Sequence, residues 1–171
     1  MAVTPEDQLD GAHWEAVEEV AEVLQEGQYQ QALYLLRDLA REDPRNPYLY
    51  YFMGVAFYEI GRLEEARDAF RAAVKLEPRY LGARGSLAQV LRRLRDYRGA
   101  IAEGKAALAL RNDDPDALHA LGMAYAALGQ RSDARRYLEA FLRARSEYEP
   151  AQEVHFVLQL IEQGHGPVEI A

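Results

Sequence analysis

The sequence contains no cysteine, and this absence excludes several kinds of chemistry. Disulfide bonds, thiol catalysis, iron–sulfur clusters and cysteine zinc sites all require that side chain. The four histidines are His13, His119, His155 and His165, and no pair of them has the i, i+3 or i, i+4 spacing of a helical metal site. We therefore expect no bound metal ion and no cofactor.

The motifs of common enzyme classes are also missing. The chain has no GxxxxGK[ST] or GxGxxG phosphate loop and no GxSxG nucleophile elbow. Its only serines are Ser86, Ser132 and Ser146, and none has a histidine nearby in the sequence. Carboxylates are plentiful, but they alternate with arginines in patterns typical of solvated helix faces. The sequence predicts no enzymatic activity and no catalytic residues.

Long hydrophobic runs are absent as well. No stretch of about 18 apolar residues exists, so no membrane span is predicted. The first residues lack the basic start and apolar core of a signal peptide, so we expect a cytoplasmic protein. A chain from which an export signal had been removed would begin in the same way. Lysine is scarce, since Lys75 and Lys105 are the only two lysines among 20 basic residues. This bias is typical of a GC-rich genome, and we expect a bacterial source.

What the chain does contain is a period of 34 residues, seen in three columns. The alanine, small-residue and apolar columns are, in turn, Ala32, Ala66, Ala100 and Ala134; Val20, Gly54, Ala88 and Gly122; Val23, Phe57, Leu91 and Tyr125. These columns define four repeats, at residues 13–46, 47–80, 81–114 and 115–148. Because one helix pair cannot cover its own apolar face, the repeats are expected to stack.

Each repeat shows two helical patterns joined by a short turn. In the second repeat the first helix is predicted from Tyr48 to Ile60, where Gly61 suits the left-handed position after a helix. The second helix is predicted from Leu63 to Leu76, and Pro78 follows where a helix should stop. The sequence therefore predicts an all-α fold of antiparallel helix pairs.

The pattern Tyr50-x2-Met53-Gly54-x2-Phe57…Gly61…Ala66-x3-Phe70-x2-Ala73…Pro78 resembles the tetratricopeptide repeat (TPR) family. The fourth repeat matches it closely, whereas the first is degenerate and the third departs at Arg84, Arg95 and Gly104. The resemblance covers residues 13–148. It implies a right-handed superhelical α-solenoid, and a non-enzymatic interaction module or scaffold that binds a peptide or partner helix in its concave groove.

The two ends lie outside this repeat pattern. Residues 1–12 are polar, with Pro5 and Gly11, and are expected to form a mobile N-terminal tail. Residues 149–163 are expected to form a capping helix that covers the open end of the stack. Residues 164–171 then form a short C-terminal tail.

In this family the first helix of each repeat lines the groove, so the resemblance indicates which residues to examine. Projected at about 100° per residue, the first helix of the second repeat carries an aromatic stripe besides its core stripe, and this stripe is expected to be exposed. The predicted groove residues are Trp14, Tyr48, Tyr51, Phe52, Val55, Tyr58, Gly82, Gly85, Ser86, Gln89, Arg92, His119 and Met123. The alternative is that these aromatics pack on one another and on neighbouring repeats.

Two features of the sequence, its carboxylate-clamp slots and its charge, narrow the class of partner. Some family members hold a C-terminal carboxylate with lysine, arginine and asparagine, but the corresponding slots here lack such a set; they hold Trp14, Glu18, Tyr48, Phe52, Gly82 and Ser86. The net charge of −8 disfavours nucleic acid. It is uneven, because residues 81–114 carry +3 between acidic flanks. This basic band either attracts an acidic or phosphate-bearing partner or neutralises its own neighbours.

A second function class stays open at this point, namely a self-associating structural unit. The capping helix is apolar, and so is the tail Val168-Glu169-Ile170-Ala171. A neighbouring copy could receive that tail in its groove, or two capping helices could pair. The sequence therefore predicts a protein or peptide partner, with a homo-oligomer as the alternative.

Overall fold

A computed structural model describes residues 11–144 and 150–168, and every element in these two ranges is a helix or a connection between helices. The helices are α1 (Gly11–Glu15), α2 (Glu18–Gln25), α3 (Tyr29–Glu42), α4 (Pro47–Glu59), α5 (Leu63–Leu76), α6 (Leu81–Arg93), α7 (Tyr97–Leu110), α8 (Pro115–Ala127), α9 (Arg131–Ala144) and α10 (Pro150–Glu162). The expected mobile tail at 1–12 lies, apart from its last two residues, outside the described part, as do residues 169–171 of the C-terminal tail. Within the described part no helix has the length and apolarity needed to cross a bilayer.

The chain forms two compact units, one from Met1 to Ala83 and one from Arg84 to Ala171. The division falls within α6. Each unit contains helix pairs that pack side by side, such as α4 with α5 in unit 1 and α8 with α9 in unit 2.

Helices α4 and α8 each begin with a side-chain cap followed by proline. Asn46 caps α4 by accepting a hydrogen bond from the Tyr48 amide at 2.9 Å, and Asp114 caps α8 by accepting one from the Ala117 amide at 2.9 Å. Both caps are almost fully buried. Proline follows each of them at the first helical position, where its missing N–H costs nothing.

The turns between paired helices use a left-handed residue. Gly27, Gly61 and Gly129 have φ of 75°, 79° and 70°, which glycine adopts without steric cost. In the third repeat Arg95 takes this place with φ 63°. The left-handed turn is therefore kept in the third repeat, although arginine stands there in place of glycine.

The small-residue column lets paired helices approach closely. A Cβ added at Gly54 would lie 2.5 Å from Cε1 of Phe70 on α5, and one at Gly122 would lie 2.4 Å from Cδ2 of Leu138 on α9. Both distances are far below van der Waals contact. Glycine at these two positions is thus what allows α4 to pack against α5 and α8 against α9.

The first repeat differs from the helix pair expected there. Its first helix is divided into α1 and α2, because the chain turns at Ala16 and Val17. Val17 has φ −117° and ψ 3° and is fully buried. Burial of Val17 and the contacts that His13 and Trp14 of α1 make with the α3–α4 region hold this break in place.

In unit 2, α10 packs on α8 and α9. Val154, Val157 and Ile161 of α10 join the apolar cluster that contains Leu121 and Phe141. The chain then turns back, and the Val168 amide donates a hydrogen bond to the Ala126 carbonyl at 3.0 Å. The side chain of Val168 belongs to the same cluster, so this part of the predicted tail is packed against its own unit.

Candidate binding face

One continuous packed group of aromatic rings in unit 1 contains Trp14, Tyr48, Tyr51, Phe52, Phe70 and Tyr80. The Trp14 ring lies 5.6 Å from the Tyr48 ring in an edge-to-face arrangement and 6.0 Å from the Phe52 ring. The Tyr80 ring lies 5.2 Å from Tyr48 and 5.0 Å from Tyr51. Such geometries are favourable for aromatic pairs beyond the area they bury. We call Tyr48, Tyr51 and Phe52 of α4 the aromatic shelf.

The predicted exposure of this stripe is wrong for its central residues. Tyr48, Tyr51 and Phe52 are 0%, 3% and 4% exposed. Projection of one helix cannot show that Tyr80 from the loop before α6 and Trp14 from α1 pack on the same face. The alternative from the sequence, that these rings pack on one another, describes the shelf correctly.

The remaining predicted residues of unit 1 stay partly accessible. Trp14, Val55, Tyr58 and Gly82 are all half-buried. A Cβ added at Gly82 would lie 3.4 Å from the Tyr80 ring, which is ordinary van der Waals contact, so packing does not require glycine there. Trp14, Val55 and Tyr58 are therefore the predicted unit 1 side chains that a partner can reach.

In unit 2 most predicted residues are also interior. Gly85, Ser86, His119 and Met123 are buried, which corrects the expectation of an open small-residue trough. A Cβ on Gly85 would approach Cβ of Asp116 to 3.3 Å, because the start of α8 already fills that space. Met123 is part of the apolar cluster of the unit.

Gln89, Arg92, His119 and Glu153 form a polar cluster in unit 2. Gln89 Nε2 lies 3.0 Å from His119 Nδ1 and donates to the Asp116 carbonyl at 3.2 Å. Because the Gln89 amide nitrogen is a donor, Nδ1 of His119 accepts this hydrogen bond. His119 Nε2 lies 3.7 Å from Glu153 Oε2 and has no hydrogen-bond partner among the described residues. Gln89, Arg92 and Glu153 are half-buried. The polar cluster therefore offers a partner one cation, Arg92, and one anion, Glu153.

The charge of Glu153 is favoured by its surroundings. The neighbouring His119 ring, with a smaller contribution from Arg92, lowers the pKa of the Glu153 carboxyl below its usual value of 4.5, although partial burial opposes this. A lowered pKa in the folded state means that the ionised carboxylate stabilises the fold. That contribution is complete above pH 4.5 and disappears as the pH falls through the lowered value.

We expect Glu153→Gln to destabilise unit 2 modestly at pH 7, by less than about 1 kcal/mol because the carboxylate is partly exposed. At a pH below the lowered pKa of Glu153 the variant and the wild type should have the same stability. Urea unfolding followed by circular dichroism at both pH values measures this difference. The matched control is Glu162→Gln, at an exposed position of the same helix. An equal loss at both pH values would contradict the electrostatic explanation.

The basic band of the third repeat is partly neutralised within unit 2. Arg84 pairs with Glu103 at 2.7 Å, and Arg111 pairs with Asp114 at 2.6 Å. Arg93, Arg95 and Arg98 are exposed near the α6–α7 turn. The sequence left open that this basic band neutralises its own neighbours. That interpretation accounts for at least Arg84 and Arg111.

Sequence reasoning missed several residues that build these clusters. Asn46, Tyr80 and Asp114 stand 34 residues apart, so they share one repeat position that could have been recognised. Two of them are caps, and the third is the aromatic that covers the shelf. Glu153 had no such signal, because it follows the last repeat.

Comparison with known proteins now decides the family. Three tetratricopeptide repeat profiles match residues 23–87, 61–117 and 116–147. The chain belongs to the tetratricopeptide repeat family. Its predicted fold class, an all-α solenoid-type fold of helix pairs, is confirmed by this match and by similar solved structures. No curated protein sequence matches the chain.

Solved tetratricopeptide structures resemble the chain in fold at low identity. MamA 41-end from Desulfovibrio magneticus RS-1 is 20% identical, with 91% of this chain and 96% of that chain covered and a TM-score of 0.71. TTC0263, a thermophilic TPR protein in Thermus thermophilus, is 21% identical, with coverages of 89% and 82% and a TM-score of 0.69. The first TPR of Spaghetti (RPAP3), solved with the HSP90 peptide SRMEEVD, is 21% identical, with coverages of 69% and 91% and a TM-score of 0.64.

Proposed function

We propose that this chain is a non-enzymatic interaction module that binds a peptide or a helix of a partner protein. Membership of the tetratricopeptide repeat family carries the proposal, because its members are in general protein-interaction modules. The Spaghetti (RPAP3) repeat solved with an HSP90 peptide is an example of a similar fold that binds a peptide. A cytoplasmic location stays a prediction from the sequence.

The residues proposed to contact the partner are the accessible members of the predicted groove. In unit 1 these are Val55 and Tyr58, with Trp14 beside them, and in unit 2 they are Gln89 and Arg92. The interior members, such as Tyr48 in unit 1 and Met123 in unit 2, support the accessible residues of their own unit by packing. Aromatic and arginine side chains are the usual energetic centres of interfaces, so Tyr58 and Arg92 are the best single positions to test.

Capture of partners from the native organism tests the proposal with matched variants. We expect wild type and Tyr34→Asp to capture the same protein and Tyr58→Asp to lose it. Tyr34 is a suitable control because its side chain is 59% exposed on α3, outside the predicted groove. Equal capture by all three would remove Tyr58 from the binding face. The peptide SRMEEVD should not bind, because the carboxylate-clamp slots of this chain hold no lysine or asparagine.

Self-association remains a second candidate because Phe156 of α10 is 53% exposed. An exposed aromatic on the last helix is compatible with pairing of two such helices. The version in which a neighbour receives the tail has less support, since Val168 packs in its own unit. Light scattering over a range of concentrations, on wild type and Phe156→Gln, separates a monomer from a dimer that depends on α10.

A further inference from the structure

Part of the aromatic shelf is covered by the short helix α1, through the ring of Trp14. α1 spans Gly11–Glu15, and none of its residues is buried. Isolated helices shorter than about 12 residues have little stability in water. The helical form of α1 therefore depends on its docking against the rest of unit 1.

The attachment of α1 rests on His13 and Trp14. His13 Nε2 lies 3.1 Å from Asp43 Oδ2, and the Asn46 side chain donates a hydrogen bond to the His13 carbonyl at 2.8 Å. The Trp14 ring covers Tyr48 and Phe52 of the shelf. The contacts of α1 with the α3–α4 region thus include one aromatic ring, one contact between an imidazole and a carboxylate, and one hydrogen bond.

The surface beneath α1 is, in contrast, built into the core of unit 1. Tyr48 is fully buried, Tyr51 packs on both Phe70 and Tyr80, and Phe52 packs on Tyr51. A rigid aromatic surface of this kind binds another ring at low entropic cost. The shelf therefore has packing partners outside α1, namely Phe70 and Tyr80, whereas the Trp14 ring of α1 packs on the shelf itself.

We propose that α1 is an intramolecular ligand, and that the aromatic shelf is a docking site for a short partner helix that carries an aromatic side chain. Trp14 fills the site until such a helix replaces it. The hinge for this exchange is the turn at Ala16 and Val17. This inference rests on the proposed function, and it specifies the chemistry of the partner that unit 1 selects.

Tethering makes α1 a strong competitor. A segment linked to its own site acts at an effective concentration of about millimolar. A partner in solution therefore binds the intact chain with reduced apparent affinity, and weakening the attachment of α1 strengthens partner binding. This inverse relation distinguishes a displaceable segment from a fixed part of the core.

The test uses the single tryptophan of the chain, which reports directly on α1. The probe is a synthetic peptide with the sequence of residues 11–20 in which Trp14→Phe removes its own fluorescence. Added to the full chain, it should cause a saturable red shift of Trp14 emission and greater quenching by acrylamide. The same peptide with Trp14→Ala, which has no ring, should cause neither change.

A second arm changes the protein instead of the peptide. Asp43→Asn removes the carboxylate that lies 3.1 Å from His13 Nε2 and should tighten apparent binding of the probe about two- to fivefold, the range expected for loss of one partly exposed polar contact. Asp38→Asn is the matched control, since Asp38 lies on α3, pairs with Arg41 and is similarly exposed, at 44% against 45% for Asp43. It should leave binding unchanged.

Two results would overturn the inference. One is unchanged Trp14 emission at millimolar probe together with no binding of the wild-type 11–20 peptide to a folded Trp14→Ala chain. The other is binding that Asp43→Asn weakens. Either result leaves the proposed function intact, because capture of a partner through Tyr58 is measured independently of α1.

Discussion

Phe70→Ala is expected to lower the free energy of unfolding of unit 1 by about 3–5 kcal/mol, as for other buried aromatics. Phe70 is 1% exposed, and its ring lies against the bare backbone of Gly54. Truncation would leave a cavity beside Gly54, which has no side chain to fill it. Urea unfolding followed by the fluorescence of Trp14, which lies in unit 1, measures the loss.

The effect of Gly54→Ala on the free energy of unfolding should have opposite signs in the wild type and in the Phe70→Ala chain. In the wild type the added methyl meets the Phe70 ring at 2.5 Å, so we expect a loss of about 1–3 kcal/mol from overpacking. In the Phe70→Ala chain the same methyl enters the cavity and also replaces a poor helix former, so it should stabilise. A double-mutant cycle gives this coupling directly. Tyr34→Ala, at an exposed ring, should stay within about 0.5 kcal/mol of the wild type. Independent effects at 54 and 70 would contradict the packing account.

Asn46→Ala is expected to cost about 2–4 kcal/mol, more than the usual cap. The substitution removes the acceptor for the Tyr48 amide and the donor to the His13 carbonyl, and Asn46 is fully buried. Loss of a cap alone costs about 1 kcal/mol, and leaving a buried polar group unsatisfied adds about 1–3 kcal/mol. Chemical denaturation of the variant checks the sum.

Two comparison variants separate the two roles of Asn46. Asn46→Ser keeps a neutral side-chain acceptor for the start of α4 but loses the amide donor to the His13 carbonyl, so its cost should lie between wild type and Asn46→Ala. Asp96→Ala removes an exposed cap, which accepts from the Gly99 amide at 2.9 Å, and should cost only about 1 kcal/mol. If Asn46→Ala cost no more than Asp96→Ala, the hydrogen bond from Asn46 to the His13 carbonyl of α1 would contribute nothing measurable to stability.

The sequence predicted the helix pairs well because their boundaries depend on local chemistry. Helix α5 runs from Leu63 to Leu76, the bounds predicted from Gly61 and Pro78, since glycine and proline act within a few residues. The division of the first helix at Val17 could not be predicted in this way. It depends on contacts of His13 and Trp14 with residues about 30 positions away.

The candidate site was predicted less well, for a related reason. A helical projection assigns each face of α4 correctly, but it does not say what covers a face. Tyr80 and Trp14 come from other segments and bury Tyr48, so an expected binding stripe became a core. Val55 and Tyr58, one turn further along α4, kept the accessibility that the projection gave them.

The position of Val168 also has a consequence for folding during synthesis. The apolar cluster of unit 2 takes Val154, Val157, Ile161 and Val168 from the stretch that is translated after α8 and α9. Until Val168 has emerged from the ribosome, the cluster residues of α8 lack these contacts, and exposed apolar surface of this kind favours chaperone binding or aggregation. Slow translation between α9 and Val168 should therefore lengthen the time for which this surface is exposed.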